Sequence, residues 1–144
     1  MMQDSNLKAT NMVAKIQEIE EQAKETFWGY LGCKLVELNE QEAIVSMEVK
    51  PHHLNMMGLV NGGVTASLVD NTMGMVAVAA RPEYSMVTSD LNLNYVTPFT
   101  EGTLFVKAHI VHADNRSLTC YATVSDEQGR IGTIGTGTFR AKRK

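Results

Sequence analysis

The chain has 144 residues, 44% of them hydrophobic and 20% charged, with a formal net charge of −3 and a pI near 5.8. That leaves room for one domain with a real core and none for a second, and the mildly acidic balance excludes a general nucleic-acid binder. Cys33 and Cys120 lack metal-type spacing, no apolar run suits a signal peptide or a membrane span, and a cytoplasmic location is expected.

Met12, Val13, Ile16, Ile19, Ala23 and Phe27 recur at helical spacing with Glu and Lys between them. They predict an amphipathic helix over about 9–27, so residues 1–30 form a flank to a single domain at 31–144. Ala43, Val45, Met47 and Val49 then alternate with polar neighbours, as in a half-buried strand. Both cysteines fall in strand-like patterns and read as buried free thiols.

Residues 62–80 carry no Lys, Arg or Glu. Val64, Leu68, Met75 and Val78 make one stripe and Val69, Met73 and Val76 another, which predicts a helix buried on most sides. Asp70 is its one charge, expected to have little water to face, and Gly63, Ser67, Asp70 and Gly74 form a stripe of small residues beside it. After the helix the period is two: Leu91, Leu93 and Tyr95; Leu104 to Ile110; Leu118 to Val124; then a glycine-rich strand ending near Phe139. Arg140–Lys144 reads as a solvated tail. The order is α+β, with consecutive antiparallel strands packed on one long helix.

Asn61 is a favoured N-cap, and Gly62 and Gly63 leave the first N–H groups of the helix unscreened, a setting for an oxygen with developing negative charge. Asn55 adds a polar group in the preceding loop. Each element alone reads equally as a turn or a cap; together on one nearly uncharged helix they read as a site. No metal site is expected: His52 with His53, and His109 with His112, would point apart in extended chain. Gly132–Gly137 lies in a strand with no helix after it and is no dinucleotide fingerprint. The methionines at 56, 57, 73, 75 and 86 read as core filler that would also suit an acyl chain or aromatic ring.

The pattern Asn55-x-x-Gly58-x-x-Asn61-Gly62-Gly63, followed by Leu68-x-Asp70-x-x-x-Gly74, resembles the helix motif of the hotdog-fold acyl-CoA thioesterases of the phenylacetate-degradation (PaaI-like) type. Thr88–Pro98 is similar to that family's third strand and Asn115–Leu118 to its later hairpin, so the resemblance spans most of the chain. It implies a curved antiparallel sheet wrapped around a long central helix. It also implies homodimers joined along about Thr88–Tyr95, stacked as a dimer of dimers into a homotetramer, with the acid from one subunit facing the helix N-terminus of its partner.

On that resemblance the substrate is an acyl-CoA, and no cofactor is needed because coenzyme A is part of the substrate. The Gly62 N–H would polarise the thioester carbonyl, with Asn55 and Asn61 placing the carbonyl or the water. Gly63 would line the substrate, and Thr88 or Ser89 would hold the water or the carboxylate. Asp70 would act as general base or as nucleophile. Arg116 is the first choice for the CoA phosphates, with Lys107, Arg81 and Arg140 behind it. The family usually has His where this chain has Asn61, which removes any step needing imidazole there. A hotdog hydratase or dehydratase, and a non-catalytic acyl-CoA-binding module, are the alternatives.

Overall fold

Alternating apolar residues and a glycine-rich last strand build the sheet that carries the site. The computed structural model describes residues 1–144. In chain order it has α1 (Met2–Ala23), α2 (Phe27–Leu31), β1 (Cys33–Leu38), β2 (Glu42–Glu48), a 3-10 turn at Pro51–His53, and α3 (Gly62–Ala80). Then follow β3 (Tyr84–Tyr95), β4 (Thr103–Ala113), β5 (Ser117–Ser125) and β6 (Ile131–Arg143). All pairings are antiparallel and the sheet order is β1-β2-β4-β5-β6-β3, so β1 and β3 are the edges.

This is the hotdog arrangement. Every second residue of β2, of β5 and of the first half of β4, among them Val45, Met47, Leu104, Val106, Cys120 and Val124, is buried with Leu68, Val69, Met73 and Val76 of α3 in one core. The helix lies close on β6: a Cβ at Gly135 would come within 2.9 Å of Val69, and one at Gly137 within 2.5 Å of Met73. Glycine at both positions lets the layers approach.

Several expectations need correction. The N-terminal helix starts at Met2 and ends at Ala23, where the Thr26 hydroxyl donates to the Ala23 carbonyl at 2.6 Å and a separate short helix begins. α1 buries no residue fully; Met12, Ile16, Ile19 and Ala23 rest against the core, and the Glu20 carboxylate accepts the Leu35 N–H of edge strand β1. α3 has the expected bounds but is buried on one face only, through Thr65, Leu68, Val69, Thr72, Met73, Val76 and Ala77. Thr72 joins the core because its hydroxyl donates to the Leu68 carbonyl at 2.7 Å. Val64 and Met75 are half-buried, Val78 is exposed, and Asp70 is half-buried.

With 19 residues and a mean hydropathy of 1.2, α3 is long and apolar enough to cross a membrane by length and composition, contrary to expectation. Here it is the core helix, packed on the sheet. The basic run is no tail: Arg140, Lys142 and Arg143 belong to β6 and pair with Val87, Ser85 and Tyr84 of β3. Met56 and Met57 are not core filler but exposed loop residues.

His52 and His53 lie in the 3-10 turn, not in extended chain, with ring centroids 4.1 Å apart. His53 is buried and uses both nitrogens: Nδ1 accepts the Lys50 N–H at 2.9 Å, which leaves the proton on Nε2 to donate to the Leu31 carbonyl at 2.9 Å. Its backbone carbonyl accepts the Asn61 N–H at 2.8 Å, so this ring ties α2 to the loop entering α3. Burial, and next the adjacent His52, hold its pKa below the ordinary 6.5. The fold therefore favours the neutral ring. That contribution is complete above about pH 6.5 and is lost as the pH falls through the folded-state value. Thermal melts from pH 7.5 to 5 should show the wild type losing Tm below pH 6.5 more steeply than His53→Gln; parallel curves would refute this role.

Candidate active site

The start of α3 is held from both sides. Asn61, with φ −57° and ψ 134°, caps the helix: its Oδ1 accepts the Gly63 N–H at 2.7 Å, and its carbonyl accepts the Val64 N–H at 2.9 Å. The Gly62 N–H donates to no group of the protomer. Of the two glycine donors expected to be free, only Gly62 is; the cap consumes the other, because an N-cap oxygen bonds N2 or N3.

Asn55 organises the preceding loop. Its Oδ1 accepts the Met57 N–H at 2.9 Å and the Leu59 N–H at 3.2 Å, and the turn closes through Gly58 at φ +76°. The acceptor end of the side chain is thus spent on the loop, and Nδ2 is what it can offer a ligand.

Tyr95, at the end of β3, shares the alternation of Leu91 and Leu93, and sequence alone marks it as no more than a strand residue. Its hydroxyl donates to the Gly62 carbonyl at 2.6 Å, and its ring lies 3.4 Å from where a Gly62 Cβ would be. It fixes the Gly62–Gly63 peptide, the unit that follows the free Gly62 donor, and so steadies the first turn of the helix. The signal for it was weak: a tyrosine closing an alternation of leucines.

Two turns further on, the Thr88 hydroxyl donates to Asp70 Oδ1 at 2.8 Å. Thr88 reaches the helix where β3 bulges: the register on β6 slips between Thr88 and Asp90, with Ser89 as the extra residue. The Ser89 hydroxyl turns away to donate to the Thr138 carbonyl at 3.1 Å. So Asp70 and Thr88 come together and Ser89 stands apart from them. Eight helical steps separate Asp70 from Gly62, about 12 Å along the axis. One reacting carbonyl cannot touch both within a protomer.

The basic candidates divide. Lys107 pairs with Glu42 at 3.3 Å, and Arg81 donates to the Asp114 carbonyl at 2.7 Å. Arg116 and Arg140 are exposed, form no ion pair, and are brought near each other because Ser117 pairs with Arg140. The hairpin carrying Arg116 is set by the Asp114 carboxylate, which accepts the N–H groups of Arg116 and Ser117 at 2.8 and 2.9 Å. Those two bonds hold the Asp114 carboxyl below the usual range.

Residues 57–133, more than half of the chain, match the family model of the thioesterase superfamily. The chain belongs to the thioesterase superfamily. Its enzyme class is that of a thioester hydrolase, and the matched stretch contains Gly62, Asp70, Thr88 and Arg116. A candidate esterase of Saccharolobus solfataricus is 23% identical over 88% of this chain and 90% of its own length. Human acyl-coenzyme A thioesterase 13 is 32% identical over a shorter stretch, 54% of this chain and 56% of its own length. Among solved structures, a mutant of the phenylacetic acid degradation protein PaaI of Thermus thermophilus is similar, with 27% identity and a TM-score of 0.74. That likeness covers 79% of this chain and 96% of the other.

Proposed function

We propose that this superfamily member hydrolyses acyl-CoA thioesters at a site shared between two protomers. The observation that carries the reading is the pair of groups on α3: an unengaged Gly62 N–H at its start, and a carboxylate held by Thr88 about 12 Å further along. A thioester oxygen docked on Gly62 of one protomer would meet the helix macrodipole and a donor already in place, which favours the oxyanion over the ground-state carbonyl. Asn61 takes no proton; it presents the donor by capping the next N–H. Asp70 of the other protomer takes a proton from water through Oδ2 while Thr88 holds Oδ1, and the hydroxide adds to the carbonyl. Collapse of the tetrahedral intermediate breaks the C–S bond and releases the thiolate of CoA.

The edges of the sheet favour that pairing. β1 is short, and α1 supplies Glu20 to one of its outward N–H groups, whereas β3 is a 12-residue edge without proline that exposes Val87 and Tyr95. An uncovered edge of that length invites a twin strand. We assign the dimer to β3 against β3, with a dimer of dimers as the tetramer. Arg116 and Arg140 are left to meet the CoA phosphates.

The test is release of free CoA thiol from short, medium, long and aromatic acyl-CoAs in the cytoplasmic pH range. Release ranks the acyl groups. No release by folded, oligomeric protein would reject the reading in favour of a hydratase or a binding module.

A further inference from the structure

A groove of about 460 Å³ runs between α1, α2 and α3, lined by Ile19, Phe27, Trp28, Asn71, Met75 and Val78 among others, none of them charged. Two buried side-chain nitrogens in the protein have no hydrogen-bond partner, Trp28 Nε1 and Asn71 Nδ2, and both residues line this groove. Trp28 is only 6% exposed. Buried donors are almost always paired, so two orphans lining one largely apolar groove call for an acceptor there. For Asn71 the one polar neighbour is the Cys33 thiol, a weak acceptor that forms no hydrogen bond of ordinary geometry with it: the Asn71 amide pulls the thiol's pKa down, but burial outweighs that and pushes it up to about 11, so it stays neutral.

The groove lies on α3 beside the proposed site, since Asn71, Met75 and Val78 of that helix line it. Asn71 follows Asp70 directly, and at 100° per residue Gly74 and Val78 fill the arc between the Asp70 side of the helix and the Asn71 side. Gly74 carries no side chain on that arc, and the Phe139 ring borders it, 3.6 Å from where a Gly74 Cβ would be. An acyl chain whose carbonyl lies beside Asp70 would reach the groove along this arc, over Gly74 and beside the Phe139 ring. α1 forms the outer wall of the groove through Ile19, Gln22 and Ala23 and buries none of its own residues fully.

We propose that this groove takes the distal end of the acyl group, and that Trp28 and Asn71 select acyl chains bearing a hydrogen-bond acceptor there, a hydroxyl or keto oxygen, over plain hydrocarbon. The inference rests on the acyl-CoA reading above. An uncharged lining excludes the phosphates of CoA as occupant, and a plain chain leaves both donors unpaired. Discrimination by hydrogen bonding to a substrate oxygen is the kind a site can make strongly.

Trp28 is the single tryptophan of the chain, so its emission reports on the groove whether or not turnover occurs. Free six- to twelve-carbon acids and their ω-hydroxy counterparts are titrated against the full-length protein, wild type and Asn71→Leu. In parallel, kcat/KM is measured for matched ω-hydroxyacyl- and acyl-CoAs, with Trp28→Phe added. The wild type should bind the hydroxy acid about tenfold more tightly with a change in Trp28 emission, and should prefer the hydroxyacyl-CoA by tenfold or more. In Asn71→Leu both ratios should fall to about one, while Tm rises because an unpaired buried amide is gone. Equal affinity in the wild type, or an emission that neither acid alters, overturns the groove assignment even if acyl-CoA is hydrolysed. A selective emission response without hydrolysis of any acyl-CoA leaves the groove assigned and rejects the catalytic reading instead.

Discussion

Asp70→Asn should lower kcat for acyl-CoA hydrolysis by about 10³-fold, within the range expected for loss of a positioned general base, with little change in KM, oligomeric state or melting. The amide is isosteric and keeps an oxygen to accept the Thr88 hydroxyl bond that now reaches Oδ1 at 2.8 Å. What disappears is the basic second oxygen. Because Asp70 is half-buried and paired to a neutral hydroxyl, no ion pair is broken by the change. Retained turnover would remove Asp70 from the mechanism and leave Thr88 as packing.

Gly62→Pro tests the other half of the site and should lower kcat by about 10²- to 10³-fold, the range for loss of one oxyanion donor. Three features confine the damage to that donor. Gly62 is the first helical residue, where proline is favoured and its missing N–H breaks no bond in the protomer. Asn61 already has the extended ψ of 134° that a residue before proline prefers. The new ring would meet Tyr95 at ordinary contact distance, since a Cβ there lies 3.4 Å from the phenol. Tm should hold or rise by about 1–3 °C as the unfolded chain loses freedom. A variant that melts normally and hydrolyses at the wild-type rate would show that the carbonyl docks elsewhere.

Those two residues were legible in the sequence for physical reasons. A lone carboxylate in a segment free of other charge, and an Asn-Gly-Gly entry to it, are local patterns, and the bounds of α3 follow from the same stretch. Thr88 as the holder of the carboxylate came only through the resemblance. What periodicity could not supply was which stripe of α3 meets the sheet. Thr65 and Thr72 went unnoticed because threonine joins a core only when its hydroxyl is satisfied, as that of Thr72 is by Leu68.

The fate of Gly63 turned on competition: the same Asn61 that marks the helix start takes its N–H. The basic C-terminal residues read as a tail because charge on the solvent side of an edge-proximal strand looks like the charge of a free end; pairing with β3 extends β6 to Arg143. Tyr95, Trp28 and Asn71 gain their meaning only from contacts between elements far apart in the chain.

The most direct test of the shared site mixes the two disabled proteins. Asp70→Asn and Gly62→Pro are unfolded together, refolded together, and assayed for CoA thiol release beside each variant refolded alone. If each site takes its donor from one protomer and its acid from the other, every mixed dimer carries one site with both groups intact. With half of the dimers mixed, about one quarter of wild-type activity returns from two inactive parents. Activity that stays at the level of the parents, with mixed dimers shown to form, would place both groups in the service of one protomer and contradict the account.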